Sequence, residues 1–130
     1  MTQSAATLAT ILLVEDSDDS RQMLRLTLES WGYRVTEAHD GREATEAARE
    51  RCPDLILMDL NMPRMDGLAA AKFIRDCGEP CRDVPIVAIT AFDVYGMREA
   101  ALEAGCNDYI AKPINYKVLD ATVRRLTSPW

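Results

Sequence analysis

Apolar runs and helical periodicities alternate along this chain, and each run ends on polar residues. Ile11-Leu12-Leu13-Val14 is continuously apolar and is closed by Glu15 and Asp16, the pattern of a short parallel strand buried on both faces. Leu24, Thr27, Leu28 and Trp31 then recur at helical spacing, with Gly32 as a stop. Asp18 and Asp19 fall in that helix's first turn, where negative charge suits the helix dipole. Arg34–Ala38 reads as a second strand. Asp40 followed by Glu43 approximates a capping box for a helix faced by Ala44, Ala47 and Ala48, which stops at Cys52-Pro53. Residues 55–58 form a third buried strand that ends at Asp59, and a loop over 61–67 leads to a helix with Ala70, Phe73, Ile74 and Cys77 on one face. Residues 85–89 are the fourth strand, ending at Thr90. The helix after it, over 94–104, has Gly96 in its first turns and mostly alanine inside, so few large contacts hold it. Asp108–Ala111 is a short fifth strand ending at Lys112-Pro113. Val118, Leu119, Thr122, Val123 and Leu126 mark the last helix, with Asn115 as its cap and Ile114 placed to staple onto Leu119.

Five strand-plus-helix units in series specify an α/β fold: a parallel sheet with helices on both faces. At this length the expected form is the five-stranded, doubly wound, flavodoxin-like sheet of order 2-1-3-4-5, whose ligands sit at the carboxyl ends of the strands. The 130 residues leave no room for a second domain. Charge narrows the function. A formal net charge of −6 opposes both a phosphate-tracking nucleic-acid binder and a helix lying on anionic lipid. Apolar runs such as residues 11–14 are far too short to span a bilayer. Residues 1–9 lack the basic and apolar regions of a secretory signal and read as a flexible leader. The four cysteines, Cys52, Cys77, Cys81 and Cys106, read as reduced thiols, in keeping with a cytoplasmic protein.

The polar residues closing the strands carry the chemistry. Glu15 and Asp16 end the first strand, Asp59 the third, Thr90 the fourth and Lys112 the fifth. Parallel strands bring these ends together around the switch point between strands one and three. At roughly 5 Å and an effective dielectric near 20, each pair of carboxylates repels by about 3 kcal/mol. One lysine cannot neutralise three acids, so the cluster calls for a hard divalent cation such as Mg²⁺, which shares its shell with water and phosphoryl oxygens.

These residues resemble the receiver domains of two-component response regulators. The matching segments are Leu12-Leu13-Val14-Glu15-Asp16-Ser17; Asp54-Leu55-Ile56-Leu57-Met58-Asp59-Leu60-Asn61-Met62-Pro63 with Met65-Asp66-Gly67; Ile89-Thr90-Ala91; and Gly105-Cys106-Asn107-Asp108-Tyr109-Ile110-Ala111-Lys112-Pro113. Together they extend over about residues 10–126, and the resemblance is closest to stand-alone, chemotaxis-regulator-like receivers and to those of hybrid histidine kinases. It implies a receiver domain over 10–127 with a tail at 128–130. It implies that Asp59 is the phosphoacceptor, attacking the phosphoryl group of a phosphohistidine on a histidine kinase or histidine phosphotransfer protein. Asp16, Asp59 and the main-chain carbonyl of Asn61 would bind Mg²⁺, with Glu15 assisting through water. Lys112, the Thr90 hydroxyl and backbone N–H groups near Leu60 and Ala91 would meet the phosphoryl oxygens, and Lys112-Pro113 would be cis. Tyr109 matches the switch aromatic that moves when Thr90 engages the phosphoryl group. Output would follow through the face of the fourth helix, fifth strand and fifth helix to a downstream protein target, without nucleic acid or membrane, from a monomer or weak dimer. Such a chain is a signalling receiver that catalyses only its own aspartyl phosphorylation and slow dephosphorylation. Phe92, bulky and unable to orient water, points to a slow loss of the phosphoryl group.

Three other readings compete. A haloacid-dehalogenase-type hydrolase usually needs an Asp where Asn61 stands, and a cap domain. A flavodoxin-like FMN carrier needs a phosphate loop where Glu15-Asp16-Ser17-Asp18-Asp19 would repel phosphate. A receiver used purely as a binding module has no need of all five site residues. Met62 and Met65 read as local packing, His39 as a solvated turn residue, and Arg124-Arg125 as a solvated helix end that suits the dipole. Trp130 ends the chain with no assigned role.

Overall fold

The computed structural model describes residues 9–60, 67–76, 83–90 and 96–127. The elements run β1 (Thr10–Val14), α1 (Asp18–Ser30), β2 (Arg34–Ala38), α2 (Gly41–Glu50), β3 (Leu55–Asp59), α3 (Gly67–Asp76), β4 (Ile86–Thr90), α4 (Met97–Glu103), β5 (Asp108–Ala111) and α5 (Tyr116–Thr127). All strand pairings are parallel and the sheet order is β2-β1-β3-β4-β5, as the alternation of strands and helices predicts. Every residue of β3 and β4 is buried, which explains why those runs carry no polar alternation. Among the described residues no helix is long and apolar enough to cross a membrane.

Side chains alternate across the sheet and build two cores. Leu12, Val14, Ile56, Met58, Ile86 and Ala88 face Ala44 and Ala48 of α2, Ala70, Ala71 and Ile74 of α3, and Ala101 of α4. On the opposite face Ile11, Leu13, Leu55, Leu57, Val87, Ile89 and Ile110 pack on Leu24 and Leu28 of α1 and Leu119 and Val123 of α5. The small residues of α2, α3 and α4 set those helices close to the sheet. Gly67 is the extreme case: a Cβ there would stand 2.6 Å from Leu60 Cδ2 and 2.8 Å from Leu60 Cα.

The helix ends show local chemistry at work. Ser17 Oγ accepts Ser20 N–H at the start of α1, and Gly32, at φ 99°, turns the chain after it. Asp40 Oδ1 accepts Glu43 N–H. Glu43 Oε1 in return accepts the N–H of His39, one residue before the cap, so the capping box closes one position early. Asn115 Oδ1 accepts the N–H groups of Lys117 and Val118, and Ile114 packs in the same core as Leu119. The cap expected for α5 is present.

Several expectations shift. Asp59 and Thr90 are the last residues of β3 and β4 rather than the first beyond them. The buried face of α3 is Gly67, Ala70, Ala71 and Ile74, and Phe73 is exposed, because the close approach of Gly67 to Leu60 rotates the helix. Val118 is likewise exposed while Leu119, Thr122 and Val123 are buried. The α4 helix begins after Gly96, which stands at its N-cap with no side chain to cap it, and among its residues of described burial only Ala101 is fully buried. Residues 94 and 95 lie outside the described residues. Cys52 is disulfide-bonded, which overturns the expectation of four reduced thiols. Its side chain packs against the core formed with α2, α3 and α4. Cys106 is a free, buried thiol that burial pushes up to about 11, against the pull of Arg75. Cys77 and Cys81 lie outside the described residues.

Candidate functional site at the carboxyl edge

Register alone assembles the site. Val14 pairs with Met58, so Glu15 and Asp59 follow as neighbours one step further on. Thr90 pairs with Ala111, and Lys112 follows, its N–H donating to the Thr90 carbonyl at 2.7 Å. Glu15, Asp59 and Thr90 are buried, Asp16 is exposed and Lys112 is partly covered. Lys112 Nζ lies 3.2 Å from Asp59 Oδ2 and 3.5 Å from Glu15 Oε1. The Lys112–Pro113 peptide is cis, as the resemblance implied.

One ammonium faces two buried carboxylates, and the ionisation of Glu15 and of Lys112 reflects that crowding. Burial pushes the Glu15 carboxyl from its ordinary 4.5 up to about 6, with help from the Asp59 charge. A hydrogen bond from Ser17 N–H to Glu15 Oε2 (3.1 Å) and the Lys112 charge oppose that rise. For Lys112, burial acts to lower the pKa, but the Asp59 and Glu15 carboxylates together outweigh it and hold the ammonium above its usual range. Carboxylate oxygens of Glu15, Asp16 and Asp59 all lie within 4.8 Å of one another. A compact set of hard oxygen donors, two of them on buried residues, fits a small divalent cation such as Mg²⁺.

Thr90 and Tyr109 share the other face of the sheet. Tyr109 is paired with Ala88, two residues before Thr90, and packs against the core formed with α2, α3 and α4. Alternation puts Thr90 on that same face, diagonal to Tyr109 across the β4–β5 pair. Tyr109 is half-buried.

The structure therefore brings Glu15, Asp16, Asp59, Thr90 and Lys112 together at one edge and sets Tyr109 a strand-step below. Asn61, Phe92, Met62 and Met65 lie outside the described residues, as does Ala91. The Leu60 N–H, expected to meet a phosphoryl oxygen, already donates to the Ile89 carbonyl at 2.8 Å as part of the β3–β4 pairing. Two features escaped the sequence. One is the Ser17 N–H bond to Glu15. The other is Arg21, an arginine only 8% exposed, which reads in sequence as one more charge on a helix. Beside the site, an open groove of about 320 Å³ runs between α1 and the start of α5. Its lining includes Met23, Ile114 and Tyr116 around Glu15 and Lys112.

Comparison with known proteins agrees with this geometry. The family model for the response regulator receiver domain matches residues 11–124. The polar-differentiation response regulator DivK of Brucella ovis is 37% identical over 114 residues, 88% of this chain and 92% of that protein. The receiver domain of a Pseudomonas aeruginosa sensor histidine kinase, solved with a magnesium ion coordinated in its active site cleft, superposes with a TM-score of 0.85 at 42% identity, covering 92% of this chain and 98% of that one. The receiver domain of a Saccharomyces cerevisiae response regulator, solved together with a histidine phosphotransfer protein, gives 0.85 at 31% identity, covering 93% and 90%. With the fold, the edge carboxylates and the matched span in agreement, this chain belongs to the response regulator receiver domain family of two-component signalling proteins.

Proposed function

We propose that Asp59 accepts a phosphoryl group from a phosphohistidine on a histidine kinase or histidine phosphotransfer protein, and that the phosphorylated chain signals by binding a downstream protein. The observation that carries this reading is the buried Asp59 carboxylate at the switch point of the sheet, 3.2 Å from Lys112 Nζ and within reach of Glu15 and Asp16. An Asp59 oxygen attacks phosphorus in line, the P–N bond breaks, and the imidazole leaves with the electron pair and takes up a proton. Lys112 meets the charge that gathers on the phosphoryl oxygens, and the Thr90 hydroxyl supplies a further donor. Asp16 and Asp59, with the Asn61 carbonyl and with Glu15 through water, would hold Mg²⁺. When bound, Mg²⁺ supplies the positive charge that lets an anionic phosphoryl group approach an anionic carboxylate.

The groove between α1 and α5 suits the donor's approach, since it opens directly on Glu15 and Lys112 and carries exposed apolar side chains at Met23 and Tyr116. The yeast receiver solved with a histidine phosphotransfer protein supports the class of partner. Output runs through Thr90 and Tyr109 to α4, which lacks a capping side chain and buries a single alanine among the described residues, and so to the α4, β5 and α5 face. The chain is a receiver rather than a turnover enzyme, active over residues 10–127 as a cytoplasmic monomer or weak dimer, and slow to lose its phosphoryl group. The reading is tested with a phosphorylated donor kinase and labelled phosphate. Acid-labile label is expected on the wild-type chain and not on Asp59→Asn, and undiminished label on Asp59→Asn would overturn it.

A further inference from the structure

Arg21 lies outside the constellation just described, yet it is a buried arginine whose guanidinium is fully engaged in hydrogen bonds. Its three donor groups reach three separate pieces of the chain. Nη1 donates to the main-chain carbonyl of Glu15 at 2.9 Å, Nε to Glu37 Oε1 of β2 at 2.8 Å, and Nη2 to Asp18 Oδ1 at 2.6 Å. Glu37 is itself held by Arg25, whose Nε lies 2.8 Å from Glu37 Oε2.

The Glu15 carbonyl belongs to the peptide that joins Glu15 to Asp16, so both residues flanking the anchored peptide contribute a carboxylate to the cluster with Asp59. Glu15 is buried and its side chain is fixed by the Ser17 N–H. Asp16 is exposed and follows the end of β1, so the direction of its side chain depends on how that peptide is turned. We propose that Arg21 is a positioning residue for divalent-cation binding: its planar fork fixes the Glu15–Asp16 peptide against α1 and β2 and thereby sets Asp16 to close the cation site. The inference rests on the reading of Glu15, Asp16 and Asp59 as that site. Its basis is the outer ring of hydrogen bonds that orients metal ligands.

Charge separates this role from a simple electrostatic one. Arg21 carries one positive charge and is paired with two carboxylates, Asp18 and Glu37, so it does not act as a spare counter-ion for the cluster. Removing its charge makes the surroundings more negative. A purely electrostatic effect would then draw a cation in more tightly, whereas loss of the anchored peptide weakens binding. The two have opposite signs.

The experiment is calorimetric titration of the metal-free full chain with Mg²⁺ at constant ionic strength, well below the melting temperature, for wild type, Arg21→Met and Arg21→Lys. Arg21→Lys keeps the charge but loses the fork, since an ammonium cannot serve three acceptors in one plane. It therefore remains decisive where Arg21→Met fails to fold. Both variants are expected to bind Mg²⁺ roughly tenfold more weakly than wild type. Affinity within twofold of wild type in Arg21→Lys, or tighter binding in Arg21→Met, overturns the inference while leaving the metal site intact. A wild-type chain that takes up no Mg²⁺ overturns the metal site and the inference with it.

Discussion

Replacing Glu15 by Gln in the metal-free protein is expected to stabilise the fold, at the cost of function. Glu15 is 2% exposed and faces both Asp59 and Lys112. Its carboxyl is pushed from an ordinary 4.5 up to about 6, chiefly by burial. Between those two values the folded chain holds a proton that the unfolded chain has released, so stability falls as pH rises through this window. The displacement corresponds to about 2 kcal/mol lost above pH 6 relative to pH 4. Gln keeps an acceptor for the Ser17 N–H and carries no charge at any pH, although its amide must tolerate Lys112. Glu15→Gln should therefore be more stable than wild type by about 1 to 2 kcal/mol at pH 7.5, a rise in Tm of roughly 3 to 8 °C for a domain of this size. Below the unfolded value, where wild-type Glu15 is neutral in both states, the difference should vanish. The assay is thermal unfolding of both proteins in EDTA from pH 4 to pH 8. Equal stability at pH 7.5, or a difference that grows toward low pH, refutes the reasoning.

Other perturbations probe how the site is carried by the fold. Leu119→Ala empties a fully buried position in the α1–α5 core and should cost about 2 to 5 kcal/mol in denaturant unfolding, leaving the metal cluster in place. Asn115→Ala removes the acceptor for two N–H groups at the start of α5 and should lower stability by about 1 kcal/mol in the same measurement. In Gly67→Ala the new methyl would stand 2.6 Å from Leu60 Cδ2 and 2.9 Å from the Asp59 carbonyl. It must displace the end of β3, so a loss of about 1 to 3 kcal/mol should come with slower phosphorylation of Asp59 at fixed donor concentration.

The architecture was legible because the strands are short apolar runs that end on chemically distinct residues. Glu15, Asp59, Thr90 and Lys112 each close a run, so the strand order by itself predicts that they meet. The caps at Asp40 and Asn115 were equally readable, since side-chain type and spacing to the first N–H groups suffice to identify them. Helix rotation was not readable. Phe73 and Ala71 compete for the inward position on α3, and Gly67 decides between them through a contact with Leu60 that spacing does not encode. Arg21 was missed for a related reason. A charged helix residue is buried only when acceptors from several elements converge on it, and here they come from the residue after β1, from α1 and from β2.

The central claim is that Asp59 forms the acyl phosphate. The most direct measurement treats the chain with a phosphoramidate, whose P–N bond mimics phosphohistidine, in the presence of Mg²⁺. Borohydride reduction then converts any aspartyl phosphate to homoserine, and peptide mass spectrometry locates it. Homoserine at position 59, dependent on Mg²⁺ and absent without the donor, is the predicted result. An unmodified Asp59 with the label on another residue, or no acyl phosphate under conditions where Mg²⁺ is bound, would contradict it.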